Sequence, residues 1–402
     1  MRSGACWVSC FSHFRQPDSG LPPEFMSDWD IIIIARDKWG DVRRRRHFLA
    51  LEWAKKRKVL YVEPQVSPRK EKPASPVRAV APNIFAFTPV KIVPNSVPKF
   101  RYINYARDAS GIRRAAAKLG FGDTVAWVTA EYGVHYLDGL PHRLSVYDVT
   151  DDWPEMSSLS SRERNQILGD DRKLLRRADF VFTVSTLLLR KKQRHRKDAL
   201  HIPNGVCMEM YENLSKERPR EIADVPGKIV GYAGSLHADR LDVKMICDIA
   251  DNMKSSNVSF VFAGPDCLTP EARSHMDARE NIFILPPVPF DRLPAVIENF
   301  DICWIPHQVT PFTNSLDPLK AYEYLAAGRP MISSEVEGML PLSKYVVFCQ
   351  THRDFKFAIE DILAGREKLG PDLRRTMARE CSWAHRAEHI DSIIGEKLNR
   401  KF

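Results

Sequence analysis

The sequence predicts an α/β protein built from two Rossmann-like domains that face each other across a cleft. Short apolar runs alternate with helical stretches from Trp29 onward, and the alternation restarts after Pro226, behind a charged stretch. At 402 residues, the chain also exceeds the length over which one hydrophobic core usually keeps growing. Such alternation is typical of parallel sheets wrapped by helices, whose ligands bind at the carboxyl ends of the strands.

In the first half, the clearest strand is the apolar run Ile31 to Ala35, between Asp30 and Arg36. The other elements predicted here are helices at 47–56, 102–119 and 160–178 and strands at 59–63, 84–87, 125–129, 144–149, 179–184 and 200–203. The stretch 64–82, rich in proline and charge, is predicted to be a loop without regular structure.

In the second half, the stretch 211–224 is predicted to be a linker, and strands and helices alternate again after it. The predicted elements are strands at 228–233, 258–263, 282–285, 302–306, 331–333 and 346–348 and helices at 243–254, 292–299, 319–327 and onward to the end. We divide the chain into domains at 26–215 and 216–380 and expect the terminal helix, 381–402, to pack back on the first domain. Residues 1–25 are predicted to be a disordered leader, and Met26 is an alternative start site.

Composition excludes several classes of protein. Hydrophobic residues make up 44% and charged residues 28% of the chain, which excludes wholesale disorder, and no apolar run approaches the roughly 18 residues of a membrane span. The eight cysteines show no C-x-x-C pair, so neither a disulfide framework nor a zinc site is indicated. A reducing, cytoplasmic location is therefore expected.

The net charge of +9 is concentrated in two basic clusters, one between Arg36 and Lys58 and one between Arg190 and Lys197. Such clusters favour anionic partners, whether nucleic acid, sugar phosphates or an anionic membrane. A solvated helix face is an equally good interpretation. Binding of nucleic acid is not expected, because aromatic residues are sparse among these charges and no recognised reader motif accompanies them.

Two segments carry candidate chemistry. Gly234 and Ser235 follow a predicted strand and precede a helix that includes Arg240 and Lys244, a pattern that can bind phosphate, although a simple tight turn is an alternative. The second segment reads N-S-L-D-P-L-K-A-Y-E-Y-L-A-A-G-R-P, from 314 to 330.

In this second segment, Pro318 can start a helix that Gly328 ends, with Lys320 and Glu323 on one face. The lysine could neutralise a diphosphate, and the carboxylate could accept hydrogen bonds from ribose hydroxyls. A surface Lys–Glu pair is the alternative.

The segment resembles the donor-binding signature P-x-K-x-x-E-Y-L-A-A-G-x-P of group 1 glycosyltransferases (family 4 and its relatives). Further similar pieces follow in the same order along the chain: Y-D-V-T-D-D-W, A-D-F-V-F-T-V-S, I-P-N-G-V, G-Y-A-G-S, F-D-I-C-W-I-P and S-W-x-x-R. The resemblance implies a GT-B fold, retention of configuration, a UDP- or GDP-linked sugar as donor, and neither a cofactor nor an obligatory metal. It assigns the donor to Gly234, Ser235, Arg240, Lys244, Asp317, Pro318, Leu319, Lys320 and Glu323.

The resemblance also implies that 26–215 bind the acceptor, a saccharide or a lipid-linked saccharide, and 216–380 the nucleotide sugar. The candidate catalytic residues are Asp152, His47 and Lys320. A helix-capping or surface role is equally compatible with His47, Asp152 could only cap a helix, and His135 is a weaker candidate. Trp153 could stack on a sugar ring.

One position departs from the family pattern. Many members carry a glutamate eight residues before the one matched by Glu323, where this chain has Ser315, with Asp317 as the nearest carboxylate. The implied function is transfer of a sugar in cell-surface polysaccharide synthesis, with the basic helix docked on the inner face of the plasma membrane. The alternatives are a non-catalytic GT-B scaffold and a basic protein that binds nucleic acid or membrane.

Overall fold

The computed structural model describes residues 29–40, 42–69, 76–93, 98–214 and 217–399. The predicted leader and the alternative start at Met26 lie outside the described residues. Within them the chain forms two parallel α/β units, which confirms the predicted fold class. No helix in these ranges is long and apolar enough to cross a bilayer.

The first unit is built on an eight-stranded sheet with the order β3-β4-β2-β1-β5-β6-β7-β8. Its strands are β1 (Trp29–Ile34), β2 (Val59–Val62), β3 (Val77–Ala81), β4 (Ile84–Phe87), β5 (Asp123–Val128), β6 (Leu144–Val149), β7 (Phe180–Thr183) and β8 (Leu200–His201). Its helices are α1 (Arg45–Trp53), α2 (Pro98–Lys118), α3 (Ser161–Arg177) and α4 (Thr186–Gln193).

The apolar run that predicted the first strand forms the centre of this sheet. β1 pairs in parallel with β2 on one side and β5 on the other, so that Ile32 lies opposite both Leu60 and Ala126. All six residues of β1 are buried, because helices cover both faces of the sheet.

The second unit contains a six-stranded parallel sheet with the order β13-β11-β9-β14-β15-β16 and a small pair, β10-β12. Its strands are β9 (Lys228–Ala233), β10 (Leu236–His237), β11 (Val258–Ala263), β12 (Asp266–Cys267), β13 (Ile282–Ile284), β14 (Ile302–Ile305), β15 (Met331–Ser334) and β16 (Val347–Cys349). Its helices are α5 (Val243–Asn252), α6 (Pro270–Asp277), α7 (Leu293–Glu298), α8 (Leu319–Ala326), α9 (His352–Leu363) and α10 (Pro371–Glu380), followed by α11 (Trp383–Asn399).

The prediction that 64–82 lack regular structure is wrong. Residues 77–81 within the predicted loop form β3, which pairs antiparallel with β4 at the edge of the first sheet. An edge strand has one solvated side, so its sequence, V-R-A-V-A, lacks a continuous apolar run. The predicted linker carries a short 3₁₀ turn, Arg220–Ile222, and Ile222 is fully buried in the second core.

The chain returns to the first domain through α11. Trp53 Nε1 donates to Asp391 Oδ1 at 3.1 Å, and Arg57 Nη2 donates to Asp391 Oδ2 at 2.7 Å. The Trp383 ring stacks on Phe48 of α1 with a centroid distance of 5.3 Å. The last helix therefore ties the second unit to the helix that follows β1.

Three arginines of the first basic cluster are buried and paired, so they do not belong to a solvated face. Arg45 is buried against Asp148, Arg46 against Asp37, and Arg57 against Asp391. Guanidinium groups that are taken out of water need paired carboxylates, and these arginines find theirs inside the fold. In the second cluster, Lys191 and Lys192 pair with Asp152 and Asp171, and Arg190 pairs with Glu337.

A tight contact at the second sheet gives a test of the packing. A Cβ atom added at Gly231 in β9 would lie 2.2 Å from the buried Phe300 ring, closer than any carbon–carbon contact allows. We expect Gly231→Ala to lower the free energy of unfolding by about 1–3 kcal/mol, measured by urea denaturation, because the ring or strand must shift. Gly395→Ala is the control: it has open space around it inside α11 and is expected to stabilise by about 0.5–1 kcal/mol. Equal effects of the two substitutions would contradict this account.

Candidate functional site

The glycine turn after β9 and the lysine of α8 lie against each other. Gly234 adopts a φ of +142°, which a residue with a side chain rarely adopts. A Cβ at this position would lie 2.8 Å from Lys320 Cε and 3.2 Å from its Nζ. The same amine lies 4.6 Å from the centre of the Tyr232 ring. The absence of a side chain at Gly234 therefore makes room for the lysine at the carboxyl end of β9.

Helix α8 is held in place from both ends. Pro318 occupies its N-cap position, and Gly328 follows its end with a φ of +72°. The Tyr324 hydroxyl accepts a hydrogen bond from the Ala233 N–H at 2.8 Å, which fixes the helix against the end of β9. Within the described part of the chain, no side chain caps the first turn of α8, so the amide groups of Leu319 and Lys320 can bind an anion.

The segment that follows Gly234 differs from the prediction. Instead of entering a helix directly, Ser235 is followed by the short strand β10, and Arg240 lies in the loop before α5. The Asp242 side chain caps α5 by accepting a hydrogen bond from the Met245 N–H at 2.9 Å. The start of α5 is thus capped by a carboxylate of the chain itself. The first turn of α8 is therefore the better candidate for the predicted anion site.

The two basic residues predicted for this segment are separated. The Arg240 guanidinium lies 5.3 Å from the centre of the Phe312 ring. The Lys244 side chain is 82% exposed and pairs with Asp248 one turn along α5, at 2.8 Å. Lys244 is therefore corrected from a member of the site to a surface residue of α5.

Arginines from the two units act on the same partly buried histidine, His237. Burial lowers the pKa of His237, and the charges of Arg240, Arg44 and Lys320 lower it further. Arg44 belongs to the first domain, at the start of α1, and was predicted only as part of the basic cluster. Positive charges from both sides of the cleft therefore act on this histidine, and Lys320 is the one that lies against the Gly234 turn.

His307 is a second histidine near these cations that sequence reasoning did not select. It directly follows a predicted strand at Pro306, which is the only signal that could have found it. Its ring is buried, and neither ring nitrogen has a hydrogen-bond partner among the described residues. Its pKa lies well below the usual value through burial and the charges of Lys320 and Arg240. A neutral imidazole is expected there, since a charged one would add repulsion.

Glu323 borders a groove between the two units. The groove is narrow, with room for about one water molecule (about 10 Å³), and its lining includes Phe48, Trp383, Phe290, Leu293 and Leu319 beside Glu323. No group in the described part of the chain donates a hydrogen bond to the Glu323 carboxylate. Burial raises its pKa to about 7, against the opposing effect of Lys320. An unpaired carboxylate in an apolar groove is placed to accept hydrogen bonds from a ligand.

Asp317 does not line this groove, and it joins the two domains. Its carboxylate accepts hydrogen bonds from the Asn204 N–H at 2.7 Å and the Tyr322 hydroxyl at 2.8 Å. The Asn204 amide also donates to the Asp317 carbonyl at 2.6 Å. Both carboxylate oxygens are thus engaged within the protein. The structure therefore corrects the assignment of Asp317, which connects the two domains and does not bind the donor. Ser315 is likewise buried, and its carbonyl accepts from the Ser185 hydroxyl at 2.7 Å.

His47 is engaged within the loop between β1 and α1. Its Nδ1 accepts from the Arg44 N–H at 3.1 Å, and its Nε2 lies 3.1 Å from the Tyr61 hydroxyl, which donates to Asp37 at 2.7 Å. Burial lowers the pKa of His47 to about 4, so the ring is neutral at pH 7. These contacts match the helix-capping role that was the alternative prediction for His47. Both ring nitrogens are engaged within the protein.

Asp152 and Trp153 follow β6 at the edge of the cleft. Asp152 is buried and accepts from Lys191 Nζ at 2.5 Å. The Trp153 ring lies 4.4 Å from the Arg36 guanidinium and 6.1 Å from Phe312 of the second unit. The indole and Phe312 therefore meet across the cleft, whereas Asp152 is neutralised by a lysine of α4.

A family model matches one part of the second unit. Residues 227–364 match the family model described as "Glycosyl transferases group 1". TuaH of Bacillus subtilis (strain 168), a glycosyltransferase assigned by name to teichuronic acid biosynthesis, is 26% identical over 254 residues, 59% of this chain. The match spans 63% of that relative, less than two thirds of its length.

Solved structures resemble the whole fold. Anabaena Alr3699/HepE in complex with UDP and glucose gives a TM-score of 0.66 at 12% identity, over 91% of this chain and 99% of that one. A UDP-forming α,α-trehalose-phosphate synthase from Burkholderia xenovorans, in complex with glucose-6-phosphate, also gives 0.66 at 12% identity, over 91% and 100%. These likenesses confirm the predicted GT-B arrangement of two Rossmann-like domains.

Proposed function

Because the chain carries a group 1 glycosyltransferase domain within a GT-B fold, we propose that it transfers a sugar from a nucleoside-diphosphate sugar to a saccharide or lipid-linked acceptor. The observation that supports this best is the meeting of Lys320, the Gly234 turn and the uncapped first turn of α8 at the end of β9. These groups share one role, the binding of an anion.

The anion in this proposal is the diphosphate of the donor. When the bond between the sugar and the diphosphate breaks, negative charge develops on the leaving phosphate oxygen. The Lys320 amine, the Arg240 guanidinium and the amide groups of α8 would stabilise that charge without reorganising. Arg44 would add a cation from the opposite domain. Because protein cations supply this stabilisation, the proposal requires no metal ion.

Glu323 is proposed to hold the ribose of the donor. Its free carboxylate can accept hydrogen bonds from two neighbouring hydroxyl groups of the ribose. UDP and GDP remain the two candidate nucleotides. Retention of configuration is carried over from the family, and the anomeric coupling in the NMR spectrum of the product would test it.

The acceptor is proposed to bind at the first domain, beside Trp153 and Arg36, where an indole faces the cleft. Cell-surface polysaccharide synthesis at the cytoplasmic side is proposed from the name of the relative TuaH. His47 and Asp152 are proposed as positioning residues for this side of the cleft, because their polar atoms are bonded within the protein.

A nucleotide screen tests the proposed function. We expect one of UDP, GDP and ADP to bind the full chain at least about tenfold more tightly than the others in calorimetry, since a specific base pocket discriminates by about 1.4 kcal/mol or more. The matching nucleotide sugars are then tested for slow hydrolysis and for transfer. Binding without any turnover would favour the scaffold alternative, and no binding by any nucleotide would refute the proposal.

A further inference from the structure

A second groove lies on the first domain, outside the donor region. It forms because two short 3₁₀ turns, Glu131–His135 and Leu137–Gly139, replace a full helix between β5 and β6. Helix α2 covers one end closely, where a Cβ at Gly139 would lie 2.6 Å from the Ala109 Cβ. Beyond that contact, the missing helix leaves an open groove of about 500 Å³.

The groove presents an aromatic wall. Tyr102 is 47% exposed, and its ring meets the His135 ring edge to face with a centroid distance of 5.2 Å. The His135 ring stacks on the buried Tyr105 ring at 4.9 Å with an interplanar angle of 9°. The His135 Nε2 atom lies 3.0 Å from Asp170 Oδ1, which fixes the ring plane. Of these rings, Tyr102 is the exposed one, and it can stack on the apolar face of a pyranose ring while His135 and Tyr105 support it from behind.

The polar part of the groove is an ion pair at its rim. Arg177 and Asp138 pair with each other, and both line the groove, with the Asp138 side chain 80% exposed. A planar guanidinium beside a carboxylate offers adjacent donors and acceptors, which match neighbouring sugar hydroxyls. Lys173 pairs with Asp170 nearby, so the cations here are largely neutralised. A polyanion such as nucleic acid would need unpaired cations and is therefore disfavoured.

The aromatic wall continues to the interdomain cleft. Tyr132 stacks parallel to Tyr105 with a centroid distance of 6.3 Å, and its hydroxyl donates to the Ala35 carbonyl at 2.6 Å. The next residue of the chain, Arg36, pairs with Glu131 and lies against Trp153 in the cleft. The groove is thus separated from the acceptor side of the cleft by one ring.

We propose that this groove, bounded by Tyr102, Tyr105, Ala106, His135, Asp138 and Arg177, is a saccharide-binding subsite. It holds pyranose residues of the acceptor that are remote from the hydroxyl group that reacts. This inference rests on the proposed function, because only a glycosyl acceptor would place sugars on both sides of Tyr132. The ligand expected there is a chain of pyranose rings with free vicinal hydroxyl groups.

The test measures binding of maltotetraose and of tetragalacturonic acid, one neutral and one acidic probe, to the full chain without nucleotide, by saturation-transfer NMR titration. At least one probe is expected to bind, and both Tyr102→Ala and Ala106→Trp should weaken it about tenfold, by loss of stacking and by filling of the groove. Tyr102→Phe, which keeps the ring, and Ile103→Ala, an exposed neighbour on α2, should leave binding within about twofold.

The controls separate this inference from the donor assignment. Each variant is checked for thermal unfolding and for nucleotide affinity, which should equal those of the unaltered protein, because the groove does not touch Lys320 or Glu323. Binding of neither tetrasaccharide, or binding that both substitutions leave unchanged, would overturn the inference. If the unaltered protein bound no nucleotide, that result would instead count against the proposed function.

Discussion

Glu323→Gln is expected to weaken binding of the donor nucleotide by about 10²-fold, because hydrogen bonds to a carboxylate are roughly twice as strong as those to an amide and two are proposed. The substitution keeps the shape of the side chain but removes its charge and half of its accepting capacity. Since Glu323 borders the groove and receives no hydrogen bond from described residues, the loss should appear in affinity and not in folding.

The pH dependence of donor binding follows from the same residue. Burial raises the pKa of Glu323 to about 7, and only the ionised form can accept both ribose hydrogen bonds. Donor affinity should therefore rise as pH increases toward 7 and level off above it, by up to about tenfold per pH unit below the pKa. The glutamine variant should lack this rise. A wild-type affinity that does not change between pH 5.5 and 8 would remove Glu323 from the ribose site.

The stability of the free protein should fall as pH rises, whereas donor affinity should increase. The pKa of Glu323 is about 7 in the folded protein and near its ordinary 4.5 in the unfolded chain, so the folded state holds the proton more tightly. The residue therefore costs stability progressively as pH rises from 4.5 to 7, and the cost is complete above 7. Glu323→Gln should raise the melting temperature of the free protein at pH 8 and change it little near pH 4.5. Glu388→Gln, an exposed position on α11, is the matched control and should change neither property.

Lys320→Met is expected to lower the rate of sugar transfer by about 10²–10³-fold, the usual effect of removing one group that stabilises charge in a transition state. Methionine keeps the apolar part of the side chain against Tyr232 and the Gly234 turn, so the fold should persist. The loss should fall mainly on kcat, because charge on the diphosphate grows as the bond to the sugar breaks.

Lys244→Met supplies the comparison for this result. Both lysines belong to the second domain and both were predicted to contact the donor, but Lys244 is 82% exposed and pairs with Asp248. Transfer by this variant should stay within about twofold of the wild-type rate, since exposed ion pairs contribute little. Equal losses of transfer rate in the two variants would contradict the assignment of Lys320 to the site and of Lys244 to the surface. Unchanged transfer in Lys320→Met would remove the lysine from the mechanism.

Local patterns in the sequence were sufficient for the fold and for the core of the candidate site. Buried parallel strands need continuous apolar runs, which is why β1 and β9 were found close to their observed bounds, whereas β3, a partly solvated edge strand, was not. Lys320 and Glu323 lie three residues apart on one short helix, so their spacing alone placed them on one face. The Gly234 turn likewise follows directly from a strand and a glycine.

Only the tertiary structure decided which charges are free. Arg45 finds its carboxylate 103 residues away, at Asp148, and Arg57 finds Asp391 334 residues away, so a cluster that is strongly basic in sequence is largely neutral in space. The Asp317 carboxylate accepts a hydrogen bond from Asn204, 113 residues away, and Arg44, which pairs with Asp37, and Arg240 lower the pKa of one histidine from opposite domains. Backbone hydrogen bonding and side-chain periodicity act over a few residues and are readable from sequence. Burial and charge pairing depend on distance in space, which only the packed chain defines.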